Sequence, residues 1–259
     1  MARGILLSVS RADRRRERPI PLVRRLALQM LLATFALLSA ACSGAFGSGA
    51  APTASVVPAT ATPEAPDLTV FRNFIYPIKG GCLPKNDVLM PNAPREYRGG
   101  VHEGVDFFDY DNCATITKGT PILAAKDGTV VRADHDYHPL TPAELDAATK
   151  RIAEGQANDF DVLDLFRGRQ VWIDHGKGIV TRYAHNSDIP ANIQVGTKVA
   201  QGEVIAFVGD SGTPESLSNP DTEEHVHFEL RAGDGFLGRG LPPDEVRALY
   251  ERLFTPLSP

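Results

Sequence analysis

The chain has 259 residues, 42% of them hydrophobic and 23% charged, with a formal charge of −5. That is enough for one sizeable domain or two small ones around a buried core. Eight of its 27 basic residues but only two of its 32 acidic ones fall in the first 42 positions, leaving 19 against 30 downstream. A remainder near −11 gives no basis for nucleic-acid binding, and none is expected.

Residues 1–42 read as an export signal. Arg14, Arg15, Arg16, Arg18, Arg24 and Arg25 form a basic region, Leu26 to Ala41 is apolar and uncharged, and small residues end it at Cys42. That ending resembles a bacterial lipoprotein signal, in which the cysteine is lipidated and ties the chain to the membrane. Such signals prefer Leu where this chain has Ser39, so an ordinary cleaved signal or an uncleaved anchor stays open. Residues 43–67, rich in Ala, Gly, Ser, Thr and Pro, read as a flexible tether, and 68–259 as the folded domain.

Within that domain Phe71, Phe74, Ile75 and Ile78 make an apolar entry segment. Cys82 and Cys113 are the only cysteines past the signal; outside a reducing compartment such a pair favours a disulfide, metal ligation being the weaker alternative. Strands are predicted at Pro121–Ala125, Thr129–Ala133, Gln170–Asp174, Ile179–Ala184, Gln194–Val199, Val204–Val208 and His225–Ala232, with Gly turns between them. Their spacing predicts a mostly β fold: an antiparallel sheet or small barrel-like sandwich. Thr141-Pro142-Ala143-Glu144 carries the signature of a helix start: a Thr cap, Pro at the first position and Glu at the third. With Phe160, Leu163 and Phe166 in a second short helix, about 136–168 reads as a helical insertion: a lid, a cleft wall or a decorative excursion. Asp244–Phe254 reads as an amphipathic C-terminal helix.

The chemistry centres on Glu223 to Leu230. His225 and His227 stand two apart on a predicted strand and so share a face, opposite Val226 and Phe228. His102 and Asp106, four apart with Gly104 between them, also share a face, but a straight strand would hold their Cα atoms about 13 Å apart. The segment must therefore bend if both are to reach one ion. Two neutral imidazoles and a carboxylate, His102, His227 and Asp106, would make a catalytic zinc shell with a fourth place open. His185 closes a strand, where a lone histidine is more often structural. His175 at a turn is read as structural, and His135 and His138 as solvated.

His102-x-x-x-Asp106, Tyr183-Ala-His185 and His225-x-His227-Phe-Glu-Leu together resemble the lysostaphin-like zinc endopeptidases of bacterial cell walls, metallopeptidase family 23, of the duplicated hybrid motif fold. The intervening Gly119-Thr-Pro-Ile-Leu-Ala-Ala, Asp174-His-Gly-Lys-Gly178 and Gly209-Asp-Ser-Gly212 are similar as well, and the similarity covers about Arg95 to Ala232. The resemblance implies one zinc ion on His102, Asp106 and His227. It makes His185 and His225 the catalytic histidines beside a zinc-activated water, and peptidoglycan stem peptides or cross-bridges the substrate. The helical insertion and the Pro214–Glu224 loop depart from the family pattern. A non-catalytic wall-binding or amidase-activating module is the main rival, and a carrier-type hairpin at Val195–Val208 a weaker one. Nothing in the sequence sets an oligomeric state.

Overall fold

The computed structural model describes residues 70–96 and 99–254, all within the unit Ala61–Pro259. The expected signal, Cys42 and the tether lie outside the described residues. A short strand pair, β1 (Pro94–Arg95) and β2 (Gly100–Val101), leads into β3 (Val105–Phe108), β4 (Pro121–Leu123) and β5 (Gly128–Ala133). Helices α1 (Pro142–Ala153) and α2 (Phe160–Arg167) come next, followed by β6 (Val171–Asp174), β7 (Ile179–Ala184), β8 (Lys198–Val199) and β9 (Val204–Phe207). One helical turn, α3 (Glu215–Ser218), precedes β10 (His225–Ala232), β11 (Gly235–Phe236) and the last helix, α4 (Pro243–Leu253).

The main sheet is antiparallel and seven-stranded, in the order β11-β10-β7-β6-β5-β8, with β3 also pairing β10. Strand β10 is its centre. It pairs β7 along one side, and β3 and then β11 along the other. Being covered on both faces, it is buried from His225 to Leu230, whereas β6 alternates between buried and half-buried positions. A two-stranded sheet, β4 with β9, lies outside this ladder.

Val130, Ile173, Ile205, Val226, Phe228 and Leu230 build the core. Helix α4 closes it with Val246, Leu249, Tyr250 and Leu253, all buried. Those positions recur at i, i+3, i+4 and i+7. Each side chain contributes about 1.5–3 kcal/mol by leaving water, so α4 is part of the core rather than an appendage. The α1 cap forms as its sequence dictates: the Glu144 amide donates to Thr141 Oγ1 (3.3 Å) and the Thr141 amide to Glu144 Oε2 (2.9 Å). Arg151 of α1 ties the two helices together through Asp159 and Asp161.

The mostly β, antiparallel fold is as expected, in its open-sheet form. The sheets are not closed into a barrel: β8 joins β5 over only two residue pairs, Gly128 with Val199 and Thr129 with Lys198. At the opposite edge β3 pairs β10 over four residues and β11 over two, and neither pairs with β8, so the sheet stays open. The strand expected at Gln194–Val199 shrinks to Lys198–Val199. Gly196 adopts φ 91°, and the Thr197 amide folds back onto Gln194 O (2.9 Å), making residues 194–197 a turn.

Candidate active site

Strand register brings the first two site residues together. In the β3–β10 ladder His227 stands directly opposite Asp106, and in the β10–β7 ladder it stands opposite Ala184. Directly opposed residues share a face with Cβ atoms about 5 Å apart, so the Asp106 carboxylate meets the His227 ring without further folding. His102 arrives through the bend the sequence requires: the strand stops after Val101 and resumes at Val105. Gly104 sits in that break against β10. A Cβ there would lie 2.5 Å from Phe228 O and 2.9 Å from His227 Cε1, so this approach is open only to glycine.

His102, Asp106 and His227 are the described group able to hold a metal ion. His102 Nε2 lies 3.0 Å from Asp106 Oδ1 and 3.1 Å from His227 Nδ1, and those last two atoms are 2.7 Å apart. Tetrahedral zinc with bonds of about 2.0–2.2 Å spaces its ligand atoms by about 3.3–3.5 Å, so an ion would spread these atoms by less than about 1 Å. The donor set of two imidazoles and one carboxylate suits zinc. Its orientation is fixed from behind. His102 Nδ1 donates to Met90 O (3.1 Å), turning the Nε2 lone pair inward. His227 Nε2 faces Glu229 Oε1 (3.1 Å), leaving Nδ1 for the centre. Arg95 holds the other Asp106 oxygen, Oδ2, at 3.3 Å.

The charge states follow from burial and partners. Burial pushes His102 down to about 4 despite the pull of Asp106. His227 is equally buried, but hydrogen bonds with Asp106 and Glu229 outweigh that and raise it to about 9, so an ion at Nδ1 would have to displace a proton. Burial would also raise the Asp106 carboxyl, yet His102 and His227 hold it well below the ordinary carboxylate range.

His185 and His225 stand beside this group. The β7 register would turn residue 185 to the face opposite His227, since Ala184 already shares that face. His185 instead takes a left-handed φ of 62°, which breaks the alternation and brings its ring to 5.7 Å from that of His227. Such a conformation costs a non-glycine residue roughly 1–3 kcal/mol. The ring then donates from Nδ1 to Ser211 O (2.8 Å). His225 Nδ1 donates likewise to Glu223 O (2.6 Å), and the ring stacks on Phe108 at 4.2 Å. The two rings are 4.5 Å apart. Burial lowers both, His185 well below the ordinary histidine value, so each is a neutral imidazole with its lone pair on Nε2.

All five residues line one cleft of about 350 Å³. Leu163 and Phe166 of α2 form one wall, and Thr213, Pro214 and Glu215 another. The insertion thus lines the cleft, and so do Pro214, Glu215 and Glu223 of the 214–224 loop. Cys82 and Cys113 are bonded, with Cα atoms 5.4 Å apart, closing a loop that contains both His102 and Asp106. His175 braces a turn, bonding Asp127 O and Thr181 Oγ1 at 2.8 Å each. His135 and His138 are exposed, and His135 bonds Ile193 O at 2.7 Å.

The sequence reading missed Glu229 and the arginines around it. Glu229 was open to discovery, because positions 225, 227 and 229 share a face on any strand. Arg167 and Arg95 carried no such signal, since their spacing to the site is set by the insertion and by the bend.

With this geometry in place, residues 100–237, just over half the chain, match peptidase family M23. The chain belongs to that family. The chain is 27% identical over 159 residues to an uncharacterized metalloprotease of Haemophilus influenzae, covering 61% of this chain and 24% of the relative. It is 27% identical over 155 residues to the peptidoglycan DD-endopeptidase ShyA of Vibrio cholerae, covering 60% and 24%. The matched region is therefore about a quarter of the length of either relative. Among solved structures it is similar to a zinc-containing peptidase from Vibrio cholerae, with TM-score 0.41, 22% identity and coverage of 66% of this chain and 41% of that one. It is also similar to the catalytic domain of lysostaphin from Staphylococcus simulans, with TM-score 0.34, 25% identity and coverage of 54% and 74%.

Proposed function

We propose that this M23 domain is a zinc metalloendopeptidase that hydrolyses peptide bonds in peptidoglycan stem peptides or cross-bridges outside the cytoplasm. The observation that carries this reading is the meeting of three ligand atoms within 3.1 Å of one another beside two neutral imidazoles. His102 Nε2, Asp106 Oδ1 and His227 Nδ1 would hold the ion. When bound, zinc supplies a Lewis acid for the scissile carbonyl and a water acidified toward neutrality.

The remaining work falls to this chain's own side chains. His185 and His225 each present an unprotonated Nε2 to the cleft, so either can take a proton from an attacking water. The imidazolium so formed can return that proton to the leaving amine and hydrogen-bond the oxyanion while it holds it. Their Nδ1 bonds to backbone carbonyls keep both rings in the accepting tautomer throughout. The open cleft between α2 and the 213–215 segment suits an extended, flexible peptide.

The Cys82–Cys113 disulfide supports an oxidising, extracytoplasmic setting. Export by residues 1–42, with anchoring through the signal or a lipid on Cys42, belongs to the same proposal. Among the described residues no helix is long and apolar enough to cross a membrane.

The test is digestion of purified peptidoglycan by the zinc-loaded protein, scoring new amino groups on stem or cross-bridge residues. His225→Ala is expected to keep zinc and lose cleavage. Wild-type cleavage by His225→Ala would refute the assigned role, and wall binding without any new amines would point to a binding module instead.

A further inference from the structure

We propose that Arg167, the last residue of the inserted helix α2, is a positioning residue for the metal centre, fixing Glu229 and through it the ring of His227. The inference rests on the metal-site reading above. Glu229 is 0% exposed, and a carboxylate taken wholly out of water needs charged partners. It has three. Arg231 and Arg182 reach Oε2 at 3.0 and 3.4 Å. Arg167 Nε donates to Oε1 at 2.5 Å, and Oε1 is the same oxygen that His227 Nε2 meets at 3.1 Å. The direction from which Oε1 receives the imidazole is thus set by the arginine on its other side.

Arg167 also touches the supports of two more site residues. Its Nη2 donates to Glu103 Oε2 (2.6 Å), the chain neighbour of His102, and Arg231 holds that same oxygen at 2.7 Å. Its carbonyl accepts from the His185 amide (2.9 Å), at the residue with the left-handed backbone. Directly after it, Gly168 at φ 63° packs so closely on Ser211 that a Cβ would lie 2.2 Å from Ser211 O, the acceptor of His185 Nδ1. A planar fork that spans two carboxylates is a task for arginine; lysine offers a single point charge. The helix that interrupts the β5–β6 connection is therefore built into the centre as well as forming its wall.

The experiment measures zinc affinity of the full chain by competition with a chromogenic chelator, alongside circular dichroism and thermal unfolding of the metal-free protein. Arg167→Lys keeps the charge but not the span. It should weaken zinc about 10–100-fold while the metal-free unfolding midpoint stays put. Arg167→Met should weaken it at least as much in the native background. In a Glu229→Gln background, where the route is already cut, Arg167→Met should add no more than about threefold.

Wild-type affinity in Arg167→Lys overturns the proposal, as do equal losses by Arg167→Met in both backgrounds. Failure of both Arg167 variants to fold overturns it too, because the residue would then serve the fold alone. Failure of the wild-type chain to bind zinc stoichiometrically is a different result: it removes the metal-site reading itself, and this proposal with it.

Discussion

Gly104→Ala is the sharpest test of how the site is assembled. The added methyl would sit 2.5 Å from Phe228 O, 2.9 Å from Phe228 C and 2.9 Å from His227 Cε1. Two of these atoms are backbone of the central strand and the third belongs to an expected metal ligand, so no flexible side chain can move aside. Ordinary contact needs about 3.5–4 Å, and β3 would have to retreat from β10 by about an ångström. Overpacking of this kind costs about 1–3 kcal/mol, or about 2–12 °C in unfolding midpoint for a domain of this size. The effect on metal should be larger than the effect on the fold. Gly104 lies between His102 and Asp106, and a formed metal site needs every ligand distance within about 0.2 Å of its standard value. Zinc affinity should therefore fall at least about tenfold, measured by chelator competition beside a thermal melt. Gly235→Ala is the control, since a Cβ there meets only Arg239 Cδ at 4.0 Å and should change neither quantity. A Gly104→Ala protein with wild-type zinc affinity would refute the argument that close approach of β3 to β10 builds the centre.

Further outcomes are expected. Replacing Cys82 and Cys113 by serine should cost about 3–4 kcal/mol in denaturant melts, from the entropy of a loop with a sequence separation of 31. It should also weaken zinc, because that loop carries His102 and Asp106; a variant as stable as the native protein would contradict this. Asp164 is held below the ordinary 3.8 by hydrogen bonds from Arg132 and Gln170, against the upward push of burial. A depressed carboxylate stabilises above its unfolded value and loses that contribution as pH falls through its folded one. Asp164→Asn should therefore cost about 1 kcal/mol at pH 7, and the gap to wild type should close as the pH falls below 3.8; an equal gap at both ends would count against it. His185→Ala should keep zinc and lower turnover by about 10²–10⁴-fold, read as released amines, and unchanged turnover would remove it from the mechanism.

Much of this was legible because the sheet obeys a period of two. The alternation in His225–Leu230 placed both imidazoles on one face and Val226 and Phe228 in the core, where both are fully buried. The spacing of His102 and Asp106 demanded a bend, and the chain bends at Gly104. What was not legible depends on broken periodicity or on contacts across long separations. His185 reaches the site through a left-handed residue, which an alternation rule places on the wrong face. Arg167 and Glu229 are 62 residues apart, and nothing in either neighbourhood announces the pair. The Gln194–Val199 segment has strand composition, yet Gly196 turns it, and only Lys198 and Val199 remain as strand against β5, with the Gly196 amide on Val130 O and the Val130 amide on Thr197 O, both 2.8 Å, tying down the turn. Strand count left the open sheet and the barrel-like sandwich as alternatives, because closure depends on whether the edge strands pair, and β8 and β11 do not.

The division between the candidate metal centre and its walls has a physical basis. Asp106, His227 and Ala184 are locked in register by two ladders of β10, and a slip of one residue would send every one of them to the opposite face. The backbone beneath the candidate ligands Asp106 and His227 is consequently set as firmly as the central strand itself. Leu163, Phe166 and the Thr213–Glu215 segment face the same cleft from a helix and a loop that no ladder constrains. Substitutions there can reshape what the cleft accepts while the ligand atoms stay within 3.1 Å of one another. Arg167 is where this separation fails: it ends the wall helix and grips Glu229, so a change that shifts α2 as a body should alter substrate fit and zinc affinity together. Truncating Leu163 or Phe166 in place should alter fit alone.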